Sequence, residues 1–204
     1  MMLRRNAIKT AALWLAGFSP WLFGLATPGQ TFYPQVKPRR LVFPRDYGAH
    51  PEYRTEWWYL TGWLGQGPTA IGFQLTFFRS RTQHAIENPS RLAPKQLLFA
   101  HAALAVAKQD VFLHANRAGR LGGTTLRAET QDTNLQFEDW HLRRVQRGAA
   151  EIYEGRFVGD GFGMTFEAST QQPVILRGQE GLSQKGPHAE QASFYYSRAP
   201  LRVN

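Results

Sequence analysis

Glu56-Trp57-Trp58-Tyr59-Leu60-Thr61-Gly62-Trp63-Leu64, then Gly65-Gln66-Gly67-Pro68, then Thr69-Ala70-Ile71-Gly72-Phe73-Gln74-Leu75-Thr76-Phe77-Phe78-Arg79 is the stretch on which the fold turns. Two runs rich in aromatic and branched side chains flank four residues that favour a turn, which predicts a β-hairpin. Phe73, Leu75 and Phe77 alternate with Gln74 and Thr76, the period of a half-buried strand. The pattern returns downstream, where Ile152–Val158 and Gly163–Ala168 flank Gly159-Asp160-Gly161. Phe194-Tyr195-Tyr196 predicts one more aromatic strand near the end of the chain. Leu97–Ala107 is apolar apart from His101, and its alanines favour helix, so periodicity leaves strand and helix both open there. Ser80–Lys95 mixes Arg, Gln, Asn and Pro and predicts a long loop. The pattern is all-β, with a barrel or a sandwich undecided by alternation alone.

The chain has 204 residues, a length that predicts one domain. It contains no cysteine, which excludes disulfides, Cys-ligated zinc, iron–sulfur clusters and thiol nucleophiles. The formal charge is +9, of which Arg4, Arg5 and Lys9 supply three. The remaining cations are scattered, with short runs at Lys37–Arg40 and Arg143–Arg147, so no basic face interleaved with stacking aromatics forms and nucleic-acid binding is not expected. Met1–Ala26 opens with a basic segment, continues apolar and ends in Gly24-Leu25-Ala26, the make-up of a signal peptide. Arg4-Arg5 with Lys9 resembles a twin-arginine export signal. Its apolar stretch is shorter than the ~20 residues of a membrane span, so no stable span is expected after cleavage, and the location is periplasmic or secreted. Residues 27–42 hold Pro28, Pro34 and Pro38 and predict an extended linker; residues 43–204 predict the folded domain.

On a strand through Glu56, the Glu56 and Trp58 side chains share one face and Trp57 and Tyr59 the other. An acid between bulky aromatics is partly desolvated, which would raise its pKa toward the range of a general acid. The plainer reading pairs Glu56 with Arg45, Arg54 or Arg79 at the strand end. His50 and His101 are the histidines that could join Glu56, although His101, in an apolar run, also suits a satisfied core position. No His-Glu-x-x-His or comparable spacing supports a metal site, and no Gly-x-Ser-x-Gly nucleophile elbow is present. Gly159–Gly163 precedes strand-like sequence and predicts a turn rather than a phosphate loop. The residues alone point to an exported all-β domain that binds something apolar.

His50-Pro-Glu-Tyr-Arg-Thr-Glu-Trp-Trp-Tyr59 and Gly72-Phe-Gln-Leu-Thr-Phe-Phe-Arg-Ser80 together resemble the lipocalin-like family of carotenoid 1,2-hydratases and AttH-like secreted proteins. Phe43-Pro-Arg-Asp46, Phe99-Ala-His-Ala-Ala103, Asp139-Trp140, Leu176-Arg-Gly178, Gly181-Leu-Ser-Gln-Lys-Gly186 and Ala192-Ser-Phe-Tyr-Tyr-Ser197 fit the same family, in order. The resemblance implies a lipocalin-like antiparallel β-barrel, the N-terminal half of a tandem two-barrel architecture. It also implies hydration of an alkene without a redox cofactor, through an acid and a cage of aromatic faces that stabilises a cation. The second-half motif that carries the family's usual catalytic residues is not met before Asn204.

The expectations are therefore an exported lipocalin-like domain holding an apolar or amphipathic small molecule, with no cofactor, and an ABC-type permease as a partner implied by the resemblance. Trp57, Trp58, Tyr59, Gln74 and His101 are the candidate ligand-binding residues, and Glu56 and His50 the candidate catalytic ones. Two alternatives stand beside this reading: an enzyme whose catalytic half lies beyond residue 204, and a nonfunctional truncated fragment.

Overall fold

The computed structural model describes residues 33–85, 87–90, 92–199 and 201–203. The leader and the first residues of the expected linker lie outside these. The deciding hairpin forms as β1 (Thr55–Leu64) and β2 (Ile71–Arg81), paired antiparallel from Thr55 opposite Ser80 to Leu64 opposite Ile71. Gly65 and Gly67, at φ +75° and +60°, let the backbone reverse where a side chain would be strained.

The ambiguous run becomes a strand. β3 (Gln96–Val106) pairs with β2 along one edge and with β4 (Val111–Arg120) along the other. Leu98, Ala100 and Ala102 point into the core while His101 between them is exposed. Alanine's helix preference is a few tenths of a kcal/mol per residue, and two full ladders outweigh it. The predicted loop follows the forecast, running between the end of β2 and the start of β3.

A second antiparallel sheet is built from β5 (Leu126–Ala128), β6 (Asn134–Phe137), β7 (Trp140–Arg147), β8 (Ala150–Gly159) and β9 (Phe162–Thr170). Its β8–β9 hairpin turns at Asp160-Gly161, as the sequence predicts. The core lies between the two sheets. Leu75, Phe77 and Leu98 from the first meet Leu135, Trp140, Phe157 and Phe166 from the second, all essentially inaccessible. Each such side chain contributes roughly 1.5–3 kcal/mol of burial. Phe73 and Phe166 join the layers directly, with ring centroids 5.2 Å apart.

The expected closed barrel is not found. Strand order is β1-β2-β3-β4 in one sheet and, in the other, β14 (Arg202–Val203), β9, β8, β7, β6, β5, and β1 does not pair with β14. After β9 ends at Thr170 the described chain forms no long strand beside β1 and rejoins the second sheet only as β14, paired with β9. Two small ribbons occupy the interval: β10 (Ile175–Leu176) with β13 (Tyr196–Ser197), and β11 (Leu182–Gln184) with β12 (Ala192–Phe194). The predicted single strand over 194–196 is thereby divided. Phe194 pairs with Leu182 and Tyr196 with Leu176, while the Tyr195 amide donates to the Gly181 carbonyl at 2.7 Å. Residues 33–42 form no strand or helix, yet they bury Tyr33, Val36 and Leu41. Among the described residues no helix is long and apolar enough to cross a membrane.

Candidate functional site

The segment entering β1 carries an uninterrupted run of charged side chains. A single 3-10 turn, Arg45–Tyr47, points Asp46 inward, where it is 2 % exposed. Arg39 clamps it with two hydrogen bonds, Nη1 to Oδ2 at 2.9 Å and Nη2 to Oδ1 at 2.7 Å. His50 lies between two carboxylates, with Nε2 3.0 Å from Asp46 Oδ1 and Nδ1 2.6 Å from Glu56 Oε1. Both ring nitrogens can donate at once only in the imidazolium. Burial disfavours that cation, but the hydrogen bond and charge of Glu56, joined by Asp46, outweigh it and raise the His50 pKa. Arg39 Nη2 also lies 3.2 Å from Nε2, where it could donate only to a neutral imidazole.

Glu56 extends the run into the sheet. Its Oε2 accepts from the His50 amide at 2.8 Å and from Arg79 Nε at 2.8 Å. Arg79 stands opposite Glu56 in the β1–β2 register and is completely buried. Its remaining donors go to the His50 carbonyl (3.0 Å), the Tyr53 carbonyl (2.9 Å) and Gln96 Oε1 (2.7 Å). The sequence expectation of a raised Glu56 pKa is overturned. Burial does push the carboxyl up, but the His50 hydrogen bond and the Arg79 charge hold it below its ordinary value. Asp46 is likewise depressed: burial pushes up, and Arg39, the Val42 amide and His50 pull further down.

Two close contacts fix the segment in place. Tyr47 offers its carbonyl to Trp58 Nε1 at 2.9 Å and to Thr133 Oγ1 at 3.2 Å. Gly48 lies so near the next connection that a Cβ there would fall 2.7 Å from the Thr130 carbonyl oxygen.

This charged run forms one wall of a cavity of about 710 Å³. Trp58, Leu60, Leu142, Leu201 and Val203 give it an apolar lining, and residues 192–199 cover it. Residues from both faces of β1 reach it, because the cavity follows the unpaired edge of that strand. Tyr153 and Tyr196 also line it, and burial raises both phenols well above their ordinary pKa, so both are neutral. Among the described residues no group of three or more His, Asp or Glu is arranged to hold a metal ion.

The structure places Glu56 and Trp58 on the cavity, as their shared strand face predicts, and brings His50 to them from the segment before β1. Trp57 and Tyr59 border the same cavity from the opposite face of β1, and Lys185 Nζ sits 5.1 Å from the Trp57 ring. Gln74 and His101 are elsewhere. They lie on the outer face of the first sheet, in a shallow trough shared with Phe112 and His114. His101 is therefore neither a core histidine nor a neighbour of Glu56. Sequence reasoning missed Asp46, Arg39, Tyr153, Tyr196 and Arg198 as members of the site. Only Asp46 carried a signal, as an acid four residues before His50; Arg39 was hidden in an ordinary basic run.

The comparisons with known proteins can be set beside this geometry. No curated protein sequence matches the chain. A crystal structure of an AttH-like protein from Nitrosomonas europaea superposes with a TM-score of 0.70 at 39 % identity, over 83 % of this chain and 50 % of that one. This chain thus spans about half the length of the solved structure it matches. The AttH-like family pattern matches residues 34–204, beginning just before Val36 and Arg39 take their places in the site. The chain belongs to the AttH-like family.

Proposed function

We propose that the domain binds an elongated apolar or amphipathic molecule in the cavity along β1. The observation that carries this reading is the cavity itself. Its volume, about 710 Å³, falls within the ~300–1,000 Å³ typical of small-molecule sites, and its apolar lining has a few convergent polar groups. Filling it removes from water the apolar surface that its lining still exposes, at roughly 25 cal/mol per Å². The leader-like sequence supports delivery outside the cytoplasm, and a permease partner is the corresponding proposal for ligand hand-over.

The geometry favours binding over acid–base chemistry at Glu56 and His50. Both oxygens of Glu56 and both nitrogens of His50 already have partners inside the protein, which suits a positioning role in the cavity wall. Hydration or hydrolysis by a longer protein is the second reading, and it rests on family membership.

The test is fluorescence of 1-aminoanthracene, an uncharged apolar probe, titrated with the full chain. Saturable enhancement by wild type, reduced at least tenfold in affinity by Leu201→Trp, is expected. A folded sample that leaves the probe dark would refute the proposal.

A further inference from the structure

We infer that the ligand of this cavity carries a carboxylate, held by the phenols of Tyr153 and Tyr196 and by the guanidinium of Arg198. The inference rests on the binding role proposed above and specifies the head group that role requires.

Several polar groups around the cavity have no hydrogen-bond partner among the described residues. The hydroxyls of Tyr153 and Tyr196 make no hydrogen bond among them, and the Tyr196 ring is held by its neighbours. Tyr196 packs on Phe43 and Tyr47 with centroids 5.2 and 5.5 Å away. Arg198 Nε and Ser193 Oγ are fully buried without a partner, and both residues line the same space. Leaving a buried donor unpaired costs about 1–3 kcal/mol, so Arg198 Nε and Ser193 Oγ, with the two phenols beside them, favour an acceptor from outside the chain.

These donors belong to one neighbourhood. Arg198 Nη1 reaches the Tyr47 hydroxyl at 3.5 Å, and its guanidinium lies 6.0 Å from the Tyr47 ring centroid. Burial, helped by Tyr47 at both phenols and by Tyr153 at Tyr196, keeps the Tyr153 and Tyr196 hydroxyls protonated, so they can donate. Ser197, next to Tyr196, accepts from Arg177 Nε at 2.9 Å.

Charge decides between an anionic and a neutral acceptor. Asp46, Glu56 and Glu151 are each already paired with a cation: Arg39, Arg79 and Arg198 respectively. His50 adds a further positive charge when protonated. Arg177 lines the cavity with no carboxylate partner among the described residues. The site is thus net positive and rich in donors, which suits an anion whose two oxygens can accept several hydrogen bonds. A hydrocarbon would leave all of these donors unsatisfied, and an ester would leave the excess charge uncompensated.

The experiment displaces bound 1-aminoanthracene at pH 7.5 with dodecanoate, with its methyl ester and with dodecane, all below their aggregation limits. The quantity read is the affinity ratio of dodecanoate to methyl dodecanoate, measured within each protein. Wild type is expected to prefer the carboxylate by at least tenfold. Tyr153→Phe and Tyr196→Phe should each bring that ratio toward unity, since a phenol bond to a charged oxygen is the interaction removed. Equal competition by acid and ester in wild type overturns the inference while the binding role stands. A ratio unchanged in both variants also overturns it, because the phenols then make no contact with the head group. Absence of probe binding is a separate result that refutes the binding role itself.

Discussion

Replacing Arg79 with methionine is the most direct test of the charged run that shapes the site. The side chain is wholly buried and delivers four hydrogen bonds, to Glu56, Gln96 and the carbonyls of His50 and Tyr53. Methionine fills comparable volume but leaves the Glu56 carboxylate with His50 alone and strands three neutral acceptors. Breaking a buried ion pair from one side typically costs about 3–5 kcal/mol, a large share of the ~5–15 kcal/mol that holds a domain together. The assay is urea unfolding at pH 7 and 25 °C, followed by tryptophan fluorescence, where such a loss moves the midpoint by roughly 2 M. Glu56→Gln alone and the double variant complete a cycle. The double variant no longer strands an anion, so its loss should fall short of the summed single losses by about 1–3 kcal/mol. A loss under 1 kcal/mol for Arg79→Met, with additive behaviour in the cycle, would show that water reaches the pair and would refute the reasoning.

Stability should peak in mildly acidic solution. The raised His50 pKa gives a contribution that is complete below the unfolded value of about 6.5 and disappears as pH climbs through the folded one. The lowered values of Asp46 and Glu56 give contributions complete above about 4–4.5 and lost as pH falls through the folded ones. Urea midpoints from pH 4 to 9 should therefore decline on the alkaline side, and His50→Gln should flatten that decline. A wild-type alkaline limb that His50→Gln leaves unaltered assigns the effect to another group. Gly48→Ala should cost about 1–3 kcal/mol by forcing its methyl against the Glu129–Thr130 backbone, although its φ of −79° suits any residue. Thermal unfolding within 1 °C of wild type would mean that the approach relaxes freely.

The parts of this molecule legible in the sequence are those governed by short-range rules. The β1–β2 hairpin was readable because two-residue alternation and a glycine-rich turn are local signals, and so was the Glu56–Trp58 face. Arg79 was one of three arginines nameable as a partner for Glu56, and the β1–β2 register that selects it belongs to the structure. The strand over Gln96–Val106 was not separable from a helix, since what decides it is pairing with β2 on one side and β4 on the other, which alternation within the run does not show. The direction of the Glu56 pKa shift was misjudged for a related reason. Desolvation by neighbouring tryptophans is visible along the chain, whereas a guanidinium and an imidazole arriving from other segments are not. Tyr196 and Arg198 lie 40 residues or more beyond Tyr153, and only the return of the chain after β9 brings them to one cavity.

The missing barrel closure and the cavity are one structural fact. In a small closed barrel, neighbouring strands seal every edge and side chains fill the interior. Among the described residues β1 has a partner strand on one side only, and the segment near its other edge consists of two- and three-residue strands. Those ribbons leave much of the ten-residue edge without a strand partner among the described residues, and the space beside it is lined by side chains. The same gap admits polar groups that a sealed core would exclude, because Asp46, His50 and Glu56 occupy the wall where the edge begins. Their mutual pairing neutralises most of the charge there at no demand on a ligand, which leaves the phenols and Arg198 Nε as the donors still available. Division of labour between a self-satisfied ionic wall and an unsatisfied donor group is what gives the cavity both rigidity and a preferred orientation for whatever enters it.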